Sequence, residues 1–382
     1  MAARAQQPVP VESGRVGQTA AVTAPALLPL PPQPEGVPWP TTEWPEGPAP
    51  DGLDALLDRV CGADEDPATG HSHAVLVVHQ GRLVAERYAA RRLGELEIIA
   101  GADEVVGPDT PLLSWSMAKS VLHTAVGLAV GDGVVDIEAP APIAAWAGPD
   151  DPRSEITWDD LLTMRPGLSW VEEYDGFDAN DLPDVVRMLY GEGAVDMAGF
   201  AAACPLVDRP GSAEAYRYSS GTSNLVARAL AGVLGLDTDG WRALLQNRLL
   251  GPLGIDVAEM GFDGTGLWVA SSYLHLTARD FARFGLFVLR DGTWQGERVL
   301  PEGWVDHGRR LRSPDEDTFH GAHWWGRNRQ DGLFYASGYD GQRIVMVPER
   351  DVIVVRLGRT PADQIDTLDA ALIDLVDLFG AR

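Results

Sequence analysis

Strand-like apolar text stands at both ends of this chain, and helical text fills the space between. Near the start, Ala74-Val-Leu-Val-Val-His-Gln-Gly-Arg-Leu-Val-Ala-Glu-Arg-Tyr88 reads as two apolar strands joined at Gln80-Gly81-Arg82, a hairpin. Near the end, Phe334–Ala336, Arg343–Val347 and Val352–Leu357 are strand-like runs separated by Gly or Pro turns. The intervening text predicts a helix over Ser116–Val130 and short helices at Trp158–Met164, Leu182–Tyr190, Ser223–Leu234 and Trp241–Leu250. A strongly periodic helix follows Thr277, which is placed to cap it, and amphipathic helices occupy Leu53–Val60 and about Gln364–Phe379. The pattern implies an α+β fold. Both chain ends build one antiparallel sheet flanked by helices, and a mainly helical region, about 137–276, is inserted.

Bulk properties restrict the function classes. The net charge of −26 over 382 residues would repel nucleic-acid phosphates, so no nucleic-acid partner is expected. No run reaches the roughly 18–20 apolar residues of a membrane span. Residues 1–51 are rich in Pro, Ala and Gln and read as an N-terminal extension that is mobile or wraps the surface. Trp39 and Trp44 are its candidate pins, and residues 52–382 form one domain. The extension lacks the pattern of a signal peptide, so a cytoplasmic location is expected. Cys61 and Cys204 give no disulfide framework and read as buried apolar residues.

The most specific residue is Lys119, the one lysine among 30 basic side chains, three positions after Ser116. Arginine carries charge but keeps its proton at any usable pH, whereas a buried lysine can give its proton up. Ser-x-x-Lys on a helix puts both side chains on one face, one turn apart. A neutral Lys119 there could take the Ser116 Oγ proton and activate the serine toward an acyl group.

Ser114-Trp-Ser-Met-Ala-Lys-Ser120 resembles the nucleophile motif of serine β-lactamases and penicillin-binding proteins. The wider text is similar to the class-C-type branch that includes esterases and 6-aminohexanoate-dimer hydrolase. Leu161–Trp170, Leu276–Gly285, Gly338-Tyr-Asp-Gly-Gln342 and Val347-Pro-Glu349 extend the likeness. The resemblance implies a β-lactamase/transpeptidase-like fold and an acyl-enzyme on Ser116, with no metal or organic cofactor. Tyr218, in Tyr218-Ser219-Ser220, takes the place of the tyrosine in the family's Tyr-x-Asn motif, as partner base and proton shuttle; an adjacent ammonium would draw it toward phenolate. Ser220 replaces the asparagine. The family's Lys-Thr-Gly falls at Ala336-Ser337-Gly338, so its cation is absent, which weakens a β-lactam or D-Ala-D-Ala reading. The backbone N–H groups of Ser116 and Tyr339 would form the oxyanion hole. Tyr174 stands where nylon-oligomer hydrolases place a substrate-contacting tyrosine, and a surface-loop role fits it equally. Trp325 and the neighbouring Trp324 are either pocket wall or core. Ser220, Ser337 and Gly338 complete the expected substrate-binding set.

Other signals are weaker. His123 lies nearly on the Ser116 helix face but reads as a hydrogen-bonded core group. His71/His73 and His320/His323 lack carboxylate or cysteine company at metal-ligand spacing, so no metal is expected. Neither a Gly-x-Ser-x-Gly elbow nor a Rossmann fingerprint is present. The expected activity is hydrolysis of a small ester or linear amide. The alternatives are an acyltransferase, a β-lactamase or DD-peptidase, and a non-catalytic binding protein on the same fold. If Lys119 is the base, Lys119→Arg abolishes turnover while circular dichroism and melting stay native-like, and Tyr218→Phe causes a smaller but still large loss. Near-normal turnover by Lys119→Arg would remove Lys119 from that role.

Overall fold

The computed structural model describes residues 27–61, 68–89, 106–148, 150–173, 181–313 and 318–381. Helix α1 (Leu53–Cys61) precedes strands β1 (His71–His79) and β2 (Arg82–Tyr88). Strand β3 (Leu112–Leu113) leads through a 3-10 turn, Trp115–Met117, into α2 (Ala118–Gly131). The helical region contains α3 (Trp158–Leu162), α4 (Asp184–Tyr190), α5 (Met197–Ala202), α6 (Ser220–Leu234) and α7 (Thr238–Leu244). Strands β4 (Glu259–Met260) and β5 (Leu274–Leu276) join β3 in a small sheet of order β3-β5-β4. Then come α8 (Ala278–Leu289), the β6–β7 hairpin (Thr293–Trp294, Glu297–Arg298) and α9 (Trp304–Arg309). The chain closes with β8 (Thr318–His320), β9 (Trp325–Arg327), β10 (Phe334–Gly338), β11 (Gln342–Val347), β12 (Val352–Arg359) and α10 (Ile365–Asp377).

The main sheet has the order β2-β1-β12-β11-β10-β9-β8, with antiparallel neighbours throughout. The first and last strands of the sequence therefore pair with each other inside the sheet, as β1 beside β12, one strand in from the β2 edge. Their text is continuously apolar because helices cover both faces. Val75 and Val77 pack with α1 and α10, whereas Leu76 and Val78 face the larger core with α2 and α8. Strands β8 and β9 and the small sheet leave no pattern in the sequence. Each is two or three residues long, too short to show a period of two. Helix α6 starts at Ser220, three residues earlier than expected, because the Ser219 side chain accepts from the Thr222 N–H and caps it there.

Residues 27–50 of the expected extension lie on the body, held by hydrogen bonds from arginines. Arg309 reaches the Leu28 carbonyl, Arg290 the Pro31 carbonyl and the Gln33 side chain, and Arg283 the Pro40 and Thr42 carbonyls. Trp39 packs on Trp294 with ring centroids 4.7 Å apart, and Arg283 lies over Trp44. Arg290 is itself paired with Asp351 in the core, at 2.6 Å.

Two backbones come into close approach where β10 ends. A Cβ added to Gly338 would lie 2.4 Å from the Ser114 carbonyl oxygen and 3.1 Å from Trp115 Cβ. Glycine is thus required for the strand to reach the turn that carries Ser116. The Gly338→Ala chain should fold with a stability loss of about 1–3 kcal/mol, read by thermal melting. Its labelling by an active-serine probe should slow far more than that loss explains. Labelling at the wild-type rate would show that the close approach does not set the geometry at Ser116.

Candidate active site

Ser116 sits in the 3-10 turn that opens onto α2. The residue before it, Trp115, has φ of 45°, a left-handed conformation uncommon outside glycine. Surrounding bonds hold that strain. The Ser114 N–H donates to the Leu274 carbonyl at 2.8 Å, and the buried Ser114 hydroxyl reaches the Ser272 carbonyl at 3.2 Å. One turn further on, Lys119 is 1% exposed. Its Nζ lies 2.9 Å from Ser116 Oγ, 3.0 Å from Ser220 Oγ and 2.9 Å from the Ser271 carbonyl oxygen. Burial lowers the Lys119 pKa from its ordinary 10.5 to about 8, and the nearby Glu172 carboxylate opposes the shift.

Tyr218 precedes the cap of α6, with its ring centroid 5.1 Å from Lys119 Nζ. The expected drift toward phenolate is not met. Burial and the charge of Glu172 raise the Tyr218 pKa, outweighing an opposing interaction with the Ser116 hydroxyl, and the side chain stays a phenol. The Trp325 ring stands 5.2 Å from that of Tyr218. On the other side of the chain, Trp115 meets Tyr339 at 5.5 Å and Tyr273 at 6.4 Å. Two groups of half-buried aromatic rings therefore meet at Ser116.

The remaining expected residues divide. Ser220 and Gly338 are brought to Ser116, the first through Lys119 and the second through the Ser114–Trp115 backbone. The Ser337 side chain is not. Its hydroxyl accepts from Arg343 Nη1 at 2.9 Å, and Arg343 is paired with Asp369 of α10, on the opposite face of the sheet. Strand alternation places Ser337 there, one residue out of phase with Ala336, which is fully buried in the larger core. Tyr174 lies outside the described residues.

The histidines are structural in arrangement. The Trp324 indole N–H donates to His123 Nδ1 at 3.2 Å, His123 Nε2 meets His307 Nδ1 at 3.2 Å, and His307 Nε2 meets Asp159 at 2.8 Å. With the indole as donor, the tautomers follow: each ring donates from Nε2, the first to His307 and the second to the carboxylate. This ties α2, α9 and α3 together behind Lys119. His320 and His323 are buried, and burial beside Lys119 lowers the His320 pKa to about 3. Among the described residues no group of three or more His, Cys, Asp or Glu is arranged to hold a metal ion. Burial pushes both cysteines up to about 11, away from thiolate chemistry. No helix among the described residues is long and apolar enough to cross a membrane.

Sequence reasoning missed Glu172 and Ser271. Glu172 Oε1 accepts from Ser220 Oγ at 2.5 Å; Oε2 accepts from Ser220 N at 2.9 Å and from the Trp170 indole at 2.6 Å. In the sequence Glu172 is one acid among 56 Asp and Glu, with nothing to mark it. Ser271 acts through its carbonyl, which every residue has.

The sequence and the fold have counterparts among known proteins. The chain is 25% identical over 346 residues to the 6-aminohexanoate-dimer hydrolase of Paenarthrobacter ureafaciens, covering 81% of this chain and 78% of that one. A solved Bacillus anthracis protein assigned as a 6-aminohexanoate-dimer hydrolase superposes with a TM-score of 0.66 at 19% identity, over 92% of this chain and 90% of that chain. A class C β-lactamase from Rhodobacter sphaeroides gives 0.57 at 18% identity, over 84% of this chain and 98% of the other. The β-lactamase family profile matches residues 65–378, and a match of that extent, on a fold that brings Ser116 and Lys119 together, makes this chain a member of the β-lactamase family of serine hydrolases.

Proposed function

We propose that the protein hydrolyses a small ester or linear amide through an acyl-Ser116 intermediate. The observation that carries the reading is the enclosure of Lys119. A buried amine with a pKa lowered to about 8 stands 2.9 Å from a serine hydroxyl. At pH 7 about one tenth of such a lysine is neutral, roughly 300-fold more than at its ordinary pKa. In the first step Ser116 Oγ attacks the carbonyl carbon and its proton passes to Lys119. Tyr218, a phenol at rest, protonates the departing alkoxide or amine as the C–O or C–N bond breaks, and recovers its proton from the Lys119 ammonium. Water then attacks the acyl-serine. One of its protons returns to Ser116 Oγ through the same pair, and the acid leaves. Backbone N–H groups of Ser116 and Tyr339 are assigned to the carbonyl oxygen as charge develops on it.

The chemistry of the surroundings supports this substrate class. Ala336 stands where the Lys-Thr-Gly motif has its cation, so no ammonium at that position meets a substrate carboxylate. Aromatic rings flank the nucleophile, which suits a partly apolar acyl group. The likeness to a 6-aminohexanoate-dimer hydrolase adds a linear amide to the panel worth testing.

Turnover should be compared for wild type and Ser116→Ala on p-nitrophenyl esters, the 6-aminohexanoate dimer and a chromogenic cephalosporin. Serine-dependent cleavage of an ester or the linear amide is expected, with the cephalosporin slow or untouched. The base works when neutral, so kcat/KM should rise with pH through an ascending limb near 8. Silence on every substrate, or a cephalosporin preference, would overturn the assignment.

A further inference from the structure

We propose that Glu172 is a positioning residue for the base: it consumes the Ser220 hydroxyl proton, and so leaves the Lys119 lone pair to Ser116 alone. The inference rests on the serine-hydrolase reading and follows from counting donors. A neutral amine has two N–H bonds and one lone pair, and Lys119 Nζ has three partners within 3.0 Å. The Ser271 carbonyl can only accept, which uses one N–H. A serine hydroxyl has one proton, and that of Ser220 is spent on Glu172 Oε1 at 2.5 Å. Toward Lys119, Ser220 can therefore only accept, which uses the second N–H. The third partner is Ser116, and only its proton can enter the lone pair. When Lys119 is an ammonium, its three N–H groups meet the same three oxygens, so both states of the base are satisfied without rearrangement.

Glu172 is itself fixed. Its other oxygen accepts from the Ser220 N–H, in the first turn of the 15-residue helix α6, and from the Trp170 indole. The titratable groups interacting with Lys119 are Tyr218, Glu172, His320 and His323. Both histidines are held neutral by burial and Tyr218 is a phenol, so Glu172 is the charged member of the set. A glutamine at this position keeps the two N–H donors by presenting its oxygen to them. Its NH₂ then faces Ser220 Oγ as a donor. The Ser220 proton turns toward Lys119 and competes with Ser116 for the lone pair. The carboxylate charge that favours the ammonium is lost as well.

The test needs no natural substrate. The full chain is treated with a fluorophosphonate, and the second-order rate of Ser116 phosphonylation is followed by intact mass across the ascending pH limb. Glu172→Gln should react about 10²-fold more slowly at the plateau. Its limb should move about one unit to lower pH, because Lys119 loses a stabilising charge. Ser220→Ala keeps the carboxylate on the Trp170 indole but takes away the acceptor that holds the second Lys119 N–H, so the amine can turn its lone pair away from Ser116, and this variant should also be slow. The double variant should be no slower than Ser220→Ala, because both changes break one relay. A folded Glu172→Gln with the wild-type rate and limb would overturn the proposal, as would multiplying losses in the double variant. If Glu172→Gln does not fold, a wild-type rate for Ser220→Ala overturns it equally. A wild type as unlabelled as Ser116→Ala would instead overturn the nucleophile reading on which the proposal stands.

Discussion

The site depends on the burial of a single amine. An ammonium taken out of water is costly, and a lysine answers by releasing its proton more easily. Lys119 is enclosed by two hydroxyls and a carbonyl, which keep it hydrogen-bonded in either state. The buried arginines do a different task. Arg356, fully buried, donates to the Ser72 hydroxyl and to the carbonyls of His71, Asp340 and Gly341. Arg290 and Arg283 tie the N-terminal arm to the body in the same way. A permanent planar cation suits that bonding and could not serve as a base.

The fold delivers the partners of Lys119 from segments far apart in the sequence. Helix α2 carries the serine and lysine, the start of α6 brings Tyr218 and Ser220, and the segment before β5 gives the Ser271 carbonyl. The end of β10 closes the arrangement by touching the strained turn at Trp115. That contact requires the main sheet to be complete, since β10 is held between β9 and β11. Nucleophile geometry is thus coupled to pairing of the two chain ends, and the His123–His307–Asp159 chain braces α2 from behind.

Much of this was legible in the sequence because the informative residues are chemically unlike their neighbours. A lone lysine beside a serine, and apolar runs too long for one exposed face, carry their meaning locally. Ser116, Lys119, Tyr218 and Ser220 do converge. What was not legible depends on direction and on ordinary groups. Ser337 shares a motif with Gly338, yet the alternation of β10 turns its side chain to Arg343 on the far face. Glu172 is an acid in an acidic chain, and only three-dimensional proximity to Ser220 distinguishes it. The phenol state of Tyr218 reflects burial and a carboxylate 46 residues away in the sequence, which no local motif reports.

A chain with one lysine permits an unusually direct measurement. Protein grown with lysine labelled at Cε and Nζ gives a single side-chain amine resonance, whose chemical shift can be followed from acid to alkaline pH in the folded enzyme. One inflection near pH 8 is expected, with the same titration in Tyr218→Phe displaced only slightly. A resonance that stays that of an ammonium up to the ordinary lysine value of 10.5 would contradict it, and Lys119 could then not be the group that deprotonates Ser116.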